Sequence, residues 1–426
     1  MAKKKSESSE SFGSIFDLVK SFDDSAEIIA NSSYSNIKEW IPSGNYMLNA
    51  CMSGDLFKAV PAGRTVLLVG ESGVGKTYLH CSICREAQKL GYTPIMLDSE
   101  GSIDSTFVSR LGVDPNNCII KQVNTISECS MFIANLCKKL EEQQEKTGDH
   151  QKVILILDSV GNLTSDKEKE DILSGNQKRD FTKQTELKAL FRVNQTNLSK
   201  LGIPFIATSH VYASMNMFSP GNEISGGSGL KYNASITLEL FASKLDDKEN
   251  DEASNKNLAK SQVKNGVNVT AKPKKSRFCI PNKVRFQIPF FKMPNPYVGL
   301  DEYINWENGG ICRGNVLDEK AFSKLPPSEQ MKCHPFEFNG AKLYCQPKDT
   351  ARGFVVKHLG RQVSVVELFS DVVFTPEYLQ YVNEHIIHPI FQLPDNNSFD
   401  DIKEIEESLG INSEEPEEGG NTQLNP

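Results

Sequence analysis

The residues Gly70-Glu71-Ser72-Gly73-Val74-Gly75-Lys76-Thr77 follow directly on the apolar run Thr65–Val69, and they match the pattern G-x-x-x-x-G-K-[ST] at every fixed position. The apolar run predicts a buried parallel strand, and Tyr78–Leu90 predicts a helix whose N-terminus faces the loop. Glycines let such a loop fold into a nest of inward-facing backbone N–H groups. The stretch therefore predicts a nucleoside triphosphate site, in which Lys76 reaches the β- and γ-phosphates and Thr77 ligates Mg²⁺.

Length and charge narrow the classes of protein to be considered. The chain has 426 residues and a formal net charge of -8, which suits a large core with one or two smaller units. This modest charge argues against a protein that coats nucleic acid through overall basicity, so a nucleic-acid site would have to be a local patch. All apolar stretches have the length of strands, and the N-terminus has no apolar segment. We therefore expect no membrane span and no signal peptide, and a cytoplasmic location.

Between about residues 37 and 241, apolar strands alternate with helical patterns, which predicts an α/β fold with a mainly parallel sheet flanked by helices. Ligands of such sheets gather at the carboxyl ends of the strands. The strand candidates are Thr65–Val69, Pro94–Asp98, Cys118–Val123, Val153–Asp158 and Pro204–Thr208. The longer helix candidates are Ser127–Glu145 and Thr182–Lys200.

Composition divides the chain further. We expect an N-terminal segment over 1–36, a core over 37–297 with a flexible insertion at 243–275, a small C-terminal α+β unit over 298–395, and an acidic disordered tail over 396–426. The insertion is rich in Lys, Asn, Asp and Glu, although a hairpin would also fit it. The tail has nine acidic residues against one lysine, which is typical of a mobile segment.

The N-terminal segment contains a short amphipathic helix pattern from Phe12 to Phe22. An apolar face of this kind needs a docking surface. It packs either on its own domain or on a neighbouring subunit of a polymer, and we favour the second alternative as an oligomerisation helix. The apolar positions are Phe12, Ile15, Phe16, Val19 and Phe22.

Three polar residues follow the predicted strands. Asp158 ends the run Val153–Leu157, as expected of a carboxylate that holds Mg²⁺ through its water shell. Glu100 follows the strand that ends at Asp98, and a carboxylate there can deprotonate the attacking water; its alternative role is to start a helix. His210 follows the fifth strand and opens a segment with little apolar periodicity, so it either senses the γ-phosphate or caps an ordinary loop.

Together these features resemble the RecA-type recombinases, and most closely the UvsX-type branch of T4-like phages. The resemblance spans about residues 40–290 and would make this part a RecA-like P-loop ATPase core. It rests on the P-loop and on four further segments, which are Met47–Gly54, Asp98–Glu100, Asp158–Ser159 and Gly226–Ser235.

The family resemblance implies a DNA-dependent ATPase that uses ATP and Mg²⁺, forms a homo-oligomeric filament on single-stranded DNA and pairs that strand with a homologous duplex. In a phage-encoded protein the location would be the host cytoplasm. A recombination mediator and a single-strand-binding protein are candidate partners. Glu100 would be the general base, Asp158 the Walker B residue and His210 the nucleotide sensor. Asp104 and Phe107 would contact adenine.

Two further cations correspond to family residues that reach the γ-phosphate of a neighbouring subunit. They are Lys275 and Arg277, which lie shortly before Pro281. The nucleotide-sensing position also differs within the family: bacterial members have glutamine there, whereas this chain has His210, as the phage branch does. We expect Lys275 and Arg277 to act in trans, with the insertion before them blurring the correspondence.

The resemblance also implies two DNA-binding loops. The first, near 165–178, carries cations for phosphate contacts, although its acidic residues would also suit a solvated loop. The second, Val211–Ser225, carries side chains that can wedge against bases, unless it is an ordinary surface loop. The candidate DNA contacts are Lys167, Lys169, Lys178, Arg179, Tyr212, Met215, Met217, Phe218, Gly226 and Gly227.

Two other functions share this kind of core. A hexameric DNA helicase would need an N-terminal helical collar, whereas fewer than forty residues precede this core. A scaffold that uses ATP only as a clamp would lack the general base, whereas Glu100 is present. We therefore favour the recombinase.

Overall fold

The fold is built around one large mixed sheet. The computed structural model describes residues 8–23, 25–29, 32, 36–175, 182–213, 222–224, 229–244, 266–290 and 293–392. The helices are α1 Ser8–Phe22, α2 Tyr46–Ser53, α3 Lys76–Lys89, α4 Ser105–Arg110, α5 Ile126–Thr147, α6 Asp166–Leu173, α7 Lys183–Lys200, α8 Gly229–Asn233, α9 Trp306–Gly309, α10 Glu319–Phe322, α11 Pro327–Gln330, α12 Val365–Leu368, α13 Pro376–Val382 and α14 His388–Phe391. The strands are β1 Trp40–Ile41, β2 Val60–Pro61, β3 Thr65–Gly70, β4 Thr93–Asp98, β5 Ile119–Gln122, β6 Val153–Asp158, β7 Phe205–Ser209, β8 Val211–Ala213, β9 Asn222–Ile224, β10 Ile236–Lys244, β11 Gly266–Ser276, β12 Val284–Pro289, β13 Ile311–Asp318, β14 His334–Phe338, β15 Ala341–Pro347, β16 Gly353–Val356 and β17 Arg361–Ser364.

Within the described residues the main sheet has eight strands in the order β12-β11-β10-β3-β7-β6-β4-β5. The six strands from β10 to β5 are parallel, and β11 and β12 extend the sheet antiparallel at one edge. This arrangement confirms the expected α/β fold. The five strands expected from the sequence are present, and each end differs by no more than one residue.

Burial on both faces explains why the central strands are continuous apolar runs. Every residue of β3 and β6 is buried, as parallel strands covered by helices require. Along β3, Leu68 points into a core shared with α2 and α3, while Leu67 points into a core shared with α5 and α7. Because successive side chains alternate between the faces, both layers of helices are anchored to the same strands.

Local capping sets the ends of the helices. The Thr125 side chain accepts the N–H of Glu128 at the start of α5, and Gly148, with φ 73°, ends the same helix. Helix α3 begins at Lys76, two residues earlier than Tyr78 as expected from the sequence, because the left-handed Gly75 ends the loop directly before it. Lys76 and Thr77 therefore lie in the first turn of α3.

Of the two alternatives for 243–275, a flexible insertion or a hairpin, the described residues match the hairpin. Residues 266–275 belong to β11, which pairs antiparallel with β10, and the register runs from Ile236–Ser276 to Lys244–Val267. The charged composition concealed this strand, because its inward positions Val269 and Ala271 are buried while alternate lysines face outward. Residues 245–265 lie outside the described part of the chain.

A second, five-stranded antiparallel sheet follows the main sheet in the described chain, with the order β14-β15-β13-β16-β17. The segment after it returns to the main core. Asn383 is buried and its Oδ1 accepts the N–H of Leu56 at 2.8 Å, while the carbonyl of Phe391 accepts the N–H of Ile280 at 2.7 Å. The domain limits at 297 and 395 remain predictions, and the acidic tail lies outside the described residues.

No helix of the described chain is both long and apolar enough to cross a bilayer.

We predict that Asn383→Ala lowers the free energy of unfolding by about 1–3 kcal/mol, because the buried N–H of Leu56 would lose its acceptor. Urea unfolding followed by circular dichroism measures the change. The neighbouring, exposed Glu384 supplies a matched control, since Glu384→Ala should stay within about 0.5 kcal/mol of the parent chain. Equal stability of the two variants would show that this contact does not hold the C-terminal segment to the core.

Candidate functional site

The glycine-rich loop lies at the carboxyl edge of the sheet, between β3 and α3. Gly73 and Gly75 have φ values of +77° and +96°, which favour glycine. A Cβ on Gly75 would also lie 2.4 Å from Ile288 Cδ1. This backbone and the N–H groups at the start of α3 form the kind of concave surface that binds phosphate groups.

Lys76 lies buried in this loop. Its ammonium donates to the carbonyls of Gly70 and Glu71 at 2.9 and 2.8 Å, and it lies 3.4 Å from His210 Nδ1. Burial lowers the pKa of Lys76, and the charges of Asp158 and Glu100 oppose that shift. A buried ammonium whose closest partners are two neutral carbonyl oxygens is well suited to an anionic ligand such as a phosphate.

Asp158, at the end of β6, has three side-chain hydrogen-bond partners in this site. Its Oδ2 accepts the Thr77 hydroxyl at 2.8 Å and lies 2.9 Å from His80 Nε2, while its Oδ1 accepts the Thr208 hydroxyl. Burial raises the pKa of Asp158, but the His80 charge and the three hydrogen bonds more than offset this and hold it below its usual range. An ionised carboxylate beside a threonine hydroxyl is an oxygen donor set that Mg²⁺ prefers, so these residues fit the metal of a nucleotide complex.

His80 was missed by the sequence analysis. Its ring is fully buried on α3, three residues after Thr77, and it therefore shares that helix face. Burial lowers the pKa of His80, but the nearby charges of Cys81 and Asp158 and the hydrogen bonds to them raise it well above its usual value. The sequence did contain a signal for His80. It follows Thr77 by three residues, and residues three apart on a helix share one face, which here faces Asp158.

Glu100 and His210 face each other across the carboxyl edge. Glu100 Oε1 lies 3.3 Å from His210 Nε2, and both side chains are about one quarter exposed. Asp98 Oδ1 accepts the N–H groups of Glu100 and Gly101, each at 2.8 Å, which orients the turn after β4. His210 therefore contacts the lysine of the loop through one ring nitrogen and Glu100 through the other.

The expected adenine contacts lie beyond Glu100. Asp104 does not line the cavity; it is the N-cap of α4, with its carboxylate accepting the N–H of Phe107 at 2.9 Å. Phe107 does line the cavity that holds the loop, Glu100, Asp158 and His210. The remaining wall comes from residues that sequence reasoning missed, some on or next to α3 and α4 and the others brought to the site by the long-range pairing of β11 and β12. These residues are Tyr78, Arg110, Leu111, Val267, Ile288, Pro289 and Phe290.

Lys275 and Arg277 lie at the other end of the strands. Lys275 pairs with Thr237, which pairs with Leu67, three residues before Gly70 on β3, a separation of about 10 Å along the strand. The Lys275 ammonium donates to the carbonyls of Lys231 and Tyr232 in α8, at 3.1 and 2.9 Å. The structure therefore does not bring these two cations to the loop of their own chain.

The candidate DNA contacts occupy two separate elements. Where a first loop was expected, α6 covers Asp166–Leu173, with Lys167 and Lys169 exposed on it. Capping explains this helix, since the Ser165 hydroxyl accepts the N–H of Glu168 at 2.9 Å. The candidates Lys178 and Arg179 lie outside the described residues.

The second expected loop begins and ends as a β-hairpin. Strands β8 and β9 pair antiparallel, with Val211 opposite Ile224, and Tyr212 is 60 % exposed. Because β8 starts directly after His210, the hairpin begins at the carboxyl edge of the sheet, next to the cavity that His210 lines. The remaining candidates lie outside the described part of the chain, namely Met215, Met217, Phe218, Gly226 and Gly227.

Comparison with known proteins identifies the family. Residues 14–280 match the RecA N-terminal domain. The chain is 28% identical over 224 residues to the "Recombination and repair protein" of Enterobacteria phage T4, a match that covers 52% of this chain and 55% of the relative. It therefore spans about half the length of that phage protein.

Bacterial relatives match over a longer part of the chain. Identity is 26% over 320 residues with "Protein RecA" of Xanthomonas campestris pv. campestris (strain B100), covering 74% of this chain and 80% of the relative. It is 28% over 310 residues with "Protein RecA" of Delftia acidovorans (strain DSM 14801 / SPH-1), covering 72% of each. These matches confirm the resemblance found in the sequence, and because the RecA N-terminal domain covers more than half of the chain, the protein belongs to the RecA family.

Proposed function

We propose that this chain is an ATP-dependent recombinase that polymerises on single-stranded DNA and catalyses homologous pairing and strand exchange in recombination, repair and recombination-dependent replication. The observation that carries this proposal is the position of His210. It contacts Lys76 and Glu100 at the nucleotide end and is followed at once by the β8–β9 hairpin. A change at the γ-phosphate would therefore be transmitted through His210 to β8, the first strand of the candidate DNA-binding segment.

The same site supports ATP hydrolysis. The bound triphosphate would supply the reacting phosphoryl group, and Mg²⁺ would neutralise its negative charge. Lys76 and the loop N–H groups would hold the phosphates, and Thr77 and Asp158 would hold the metal. Glu100, partly exposed at the mouth of the site, would orient water and accept its proton.

Two features support a filament. In α1, the side chains of Ile15, Leu18 and Phe22 are 62%, 64% and 75% exposed, so the helix offers an apolar face for a neighbouring subunit. Arg277 is exposed at the strand end away from the loop of its own chain, which fits contact with the nucleotide of the next subunit.

The exposed Lys167 and Lys169 would meet phosphates of single-stranded DNA, and Tyr212 would stack on a base. A homologous duplex would be the second DNA partner, and we propose the cytoplasm as the site of action. The names of the T4 and bacterial relatives support this assignment to recombination and repair. A recombination mediator and a single-strand-binding protein remain candidate partners.

We predict that Glu100→Gln lowers kcat for ATP hydrolysis about 10²–10⁴-fold, because the amide cannot accept the proton of the attacking water. Equilibrium binding of a fluorescent ATP analogue should stay unchanged, whereas Lys76→Ala should weaken it. The exposed Glu145→Gln on α5 serves as the control with normal kcat. If Glu100→Gln lost affinity for the ATP analogue as well as turnover, the result would contradict the role of Glu100 as the base.

We predict that Arg277→Ala and Lys76→Ala chains, each inactive alone, regain ATPase activity when mixed. In a head-to-tail filament, roughly a quarter of the interfaces would combine an intact loop with an intact Arg277. Lys283→Ala, at an exposed cation of the same segment, should be active alone. Mixtures that stay inactive would argue against a contribution of Arg277 in trans.

We predict that single-stranded DNA stimulates phosphate release and that, with a non-hydrolysable ATP analogue, it yields helical filaments in negative-stain electron micrographs. Both results follow if nucleotide and DNA bind the same polymer cooperatively. Discrete hexameric rings would instead support the helicase, and phosphate release that is indifferent to DNA would count against the recombinase.

A further inference from the structure

His80 lies on α3, three residues beyond the last residue of the phosphate-binding pattern. Its ring is fully buried on α3 behind the loop and does not line the nucleotide cavity. Nε2 lies 2.9 Å from Asp158 Oδ2, and Nδ1 lies 3.7 Å from Cys81 Sγ. Because an ionised carboxylate only accepts hydrogen bonds, the proton of this contact lies on Nε2.

The other contacts of Asp158 define what this hydrogen bond does. Oδ1 accepts the Thr208 hydroxyl from β7, and Oδ2 is shared by the Thr77 hydroxyl and His80. The terminal torsion of an aspartate has broad, weak preferences, so the carboxylate plane is set by its donors. Thr208 fixes one oxygen, and His80 and Thr77 direct the other towards the first turn of α3.

In a nucleotide complex, Thr77 would be a less fixed partner of Oδ2 than His80. Its hydroxyl would also present a lone pair to Mg²⁺ and follow the position of the metal, whereas the buried ring of His80 is held on both sides. Partners of this kind, behind the groups that hold a metal, orient them and influence affinity.

We propose that His80 is a positioning residue, which holds Asp158 Oδ2 towards Thr77 Oγ1 and so pre-organises the magnesium side of the nucleotide site. This inference rests on the proposed ATP-dependent function, but it concerns a different residue and a different measurement. His80 acts through Asp158 and not on the nucleotide itself.

Two variants of nearly equal volume separate hydrogen bonding from packing. His80→Gln keeps an N–H donor of similar reach, whereas His80→Met fills the space without a donor. The affinity for fluorescent ADP is measured with Mg²⁺ and with excess chelator, and the ratio reports the magnesium-dependent tightening. In His80→Met this ratio should be about 10–100-fold lower than in the parent chain, while the affinity in chelator should be unchanged. In His80→Gln the ratio should stay close to the parent value.

Ser82→Ala is the matched control. Ser82 is also buried on α3, and its hydroxyl donates to the Ser43 carbonyl at 2.7 Å instead of to Asp158. It should leave the ratio at the parent value even if the thermal midpoint falls. Circular dichroism establishes folding, and His80→Ala replaces His80→Met if methionine prevents folding.

The outcomes are distinct. A parent-like ratio in the folded donor-free variant, or a loss in His80→Gln as large as in that variant, overturns the positioning role. A loss in Ser82→Ala as large as in His80→Met also overturns it, because general loosening of α3 would then suffice. If the parent chain binds fluorescent ADP without any magnesium dependence, both this inference and the proposed hydrolytic site are removed.

Discussion

The hydrogen-bonded carboxylate of Asp158 is the constraint on which the rest of the site depends. A buried charge is costly unless it is paired and hydrogen-bonded, and here three side chains from two elements supply its partners. Helix α3 contributes Thr77 and His80, and β7 contributes Thr208. These partners lock the first turn of α3 against β6 and β7, so the loop before α3 is held at the same edge of the sheet.

The topology then determines what this edge can do. Because β3, β4, β6 and β7 are parallel neighbours, their carboxyl ends bring Lys76, Glu100, Asp158 and His210 together. The chain leaves this edge through His210 into the β8–β9 hairpin, while Lys275 holds α8 from the opposite end. A candidate nucleotide site and a candidate DNA element are thus adjacent in the described chain.

Much of the core fold and of the candidate site was predictable from the sequence, for a physical reason. Parallel strands buried on both faces need unbroken apolar runs, and a phosphate-binding turn needs glycines at set positions, so both leave strong local patterns. For that reason Val153–Asp158 was predicted with its observed limits and the other four strands to within one residue. The limits of strand β11 were not predicted, and a hairpin stayed one of two alternatives there, because its exposed lysines resemble those of a loop. Helix α6 was missed because its charged side chains conceal a short capped helix.

Sequence alone determined the type of core, the phosphate-binding loop and the polar residues at the strand ends, since each depends on neighbours within a few positions. Only the tertiary structure decided which side chains meet. The contact of His80 with Asp158, the bridge of His210 between Lys76 and Glu100, and the wall that β11 and β12 add to the cavity all join distant parts of the chain. Such contacts depend on strand order and helix rotation, which a local residue pattern does not specify.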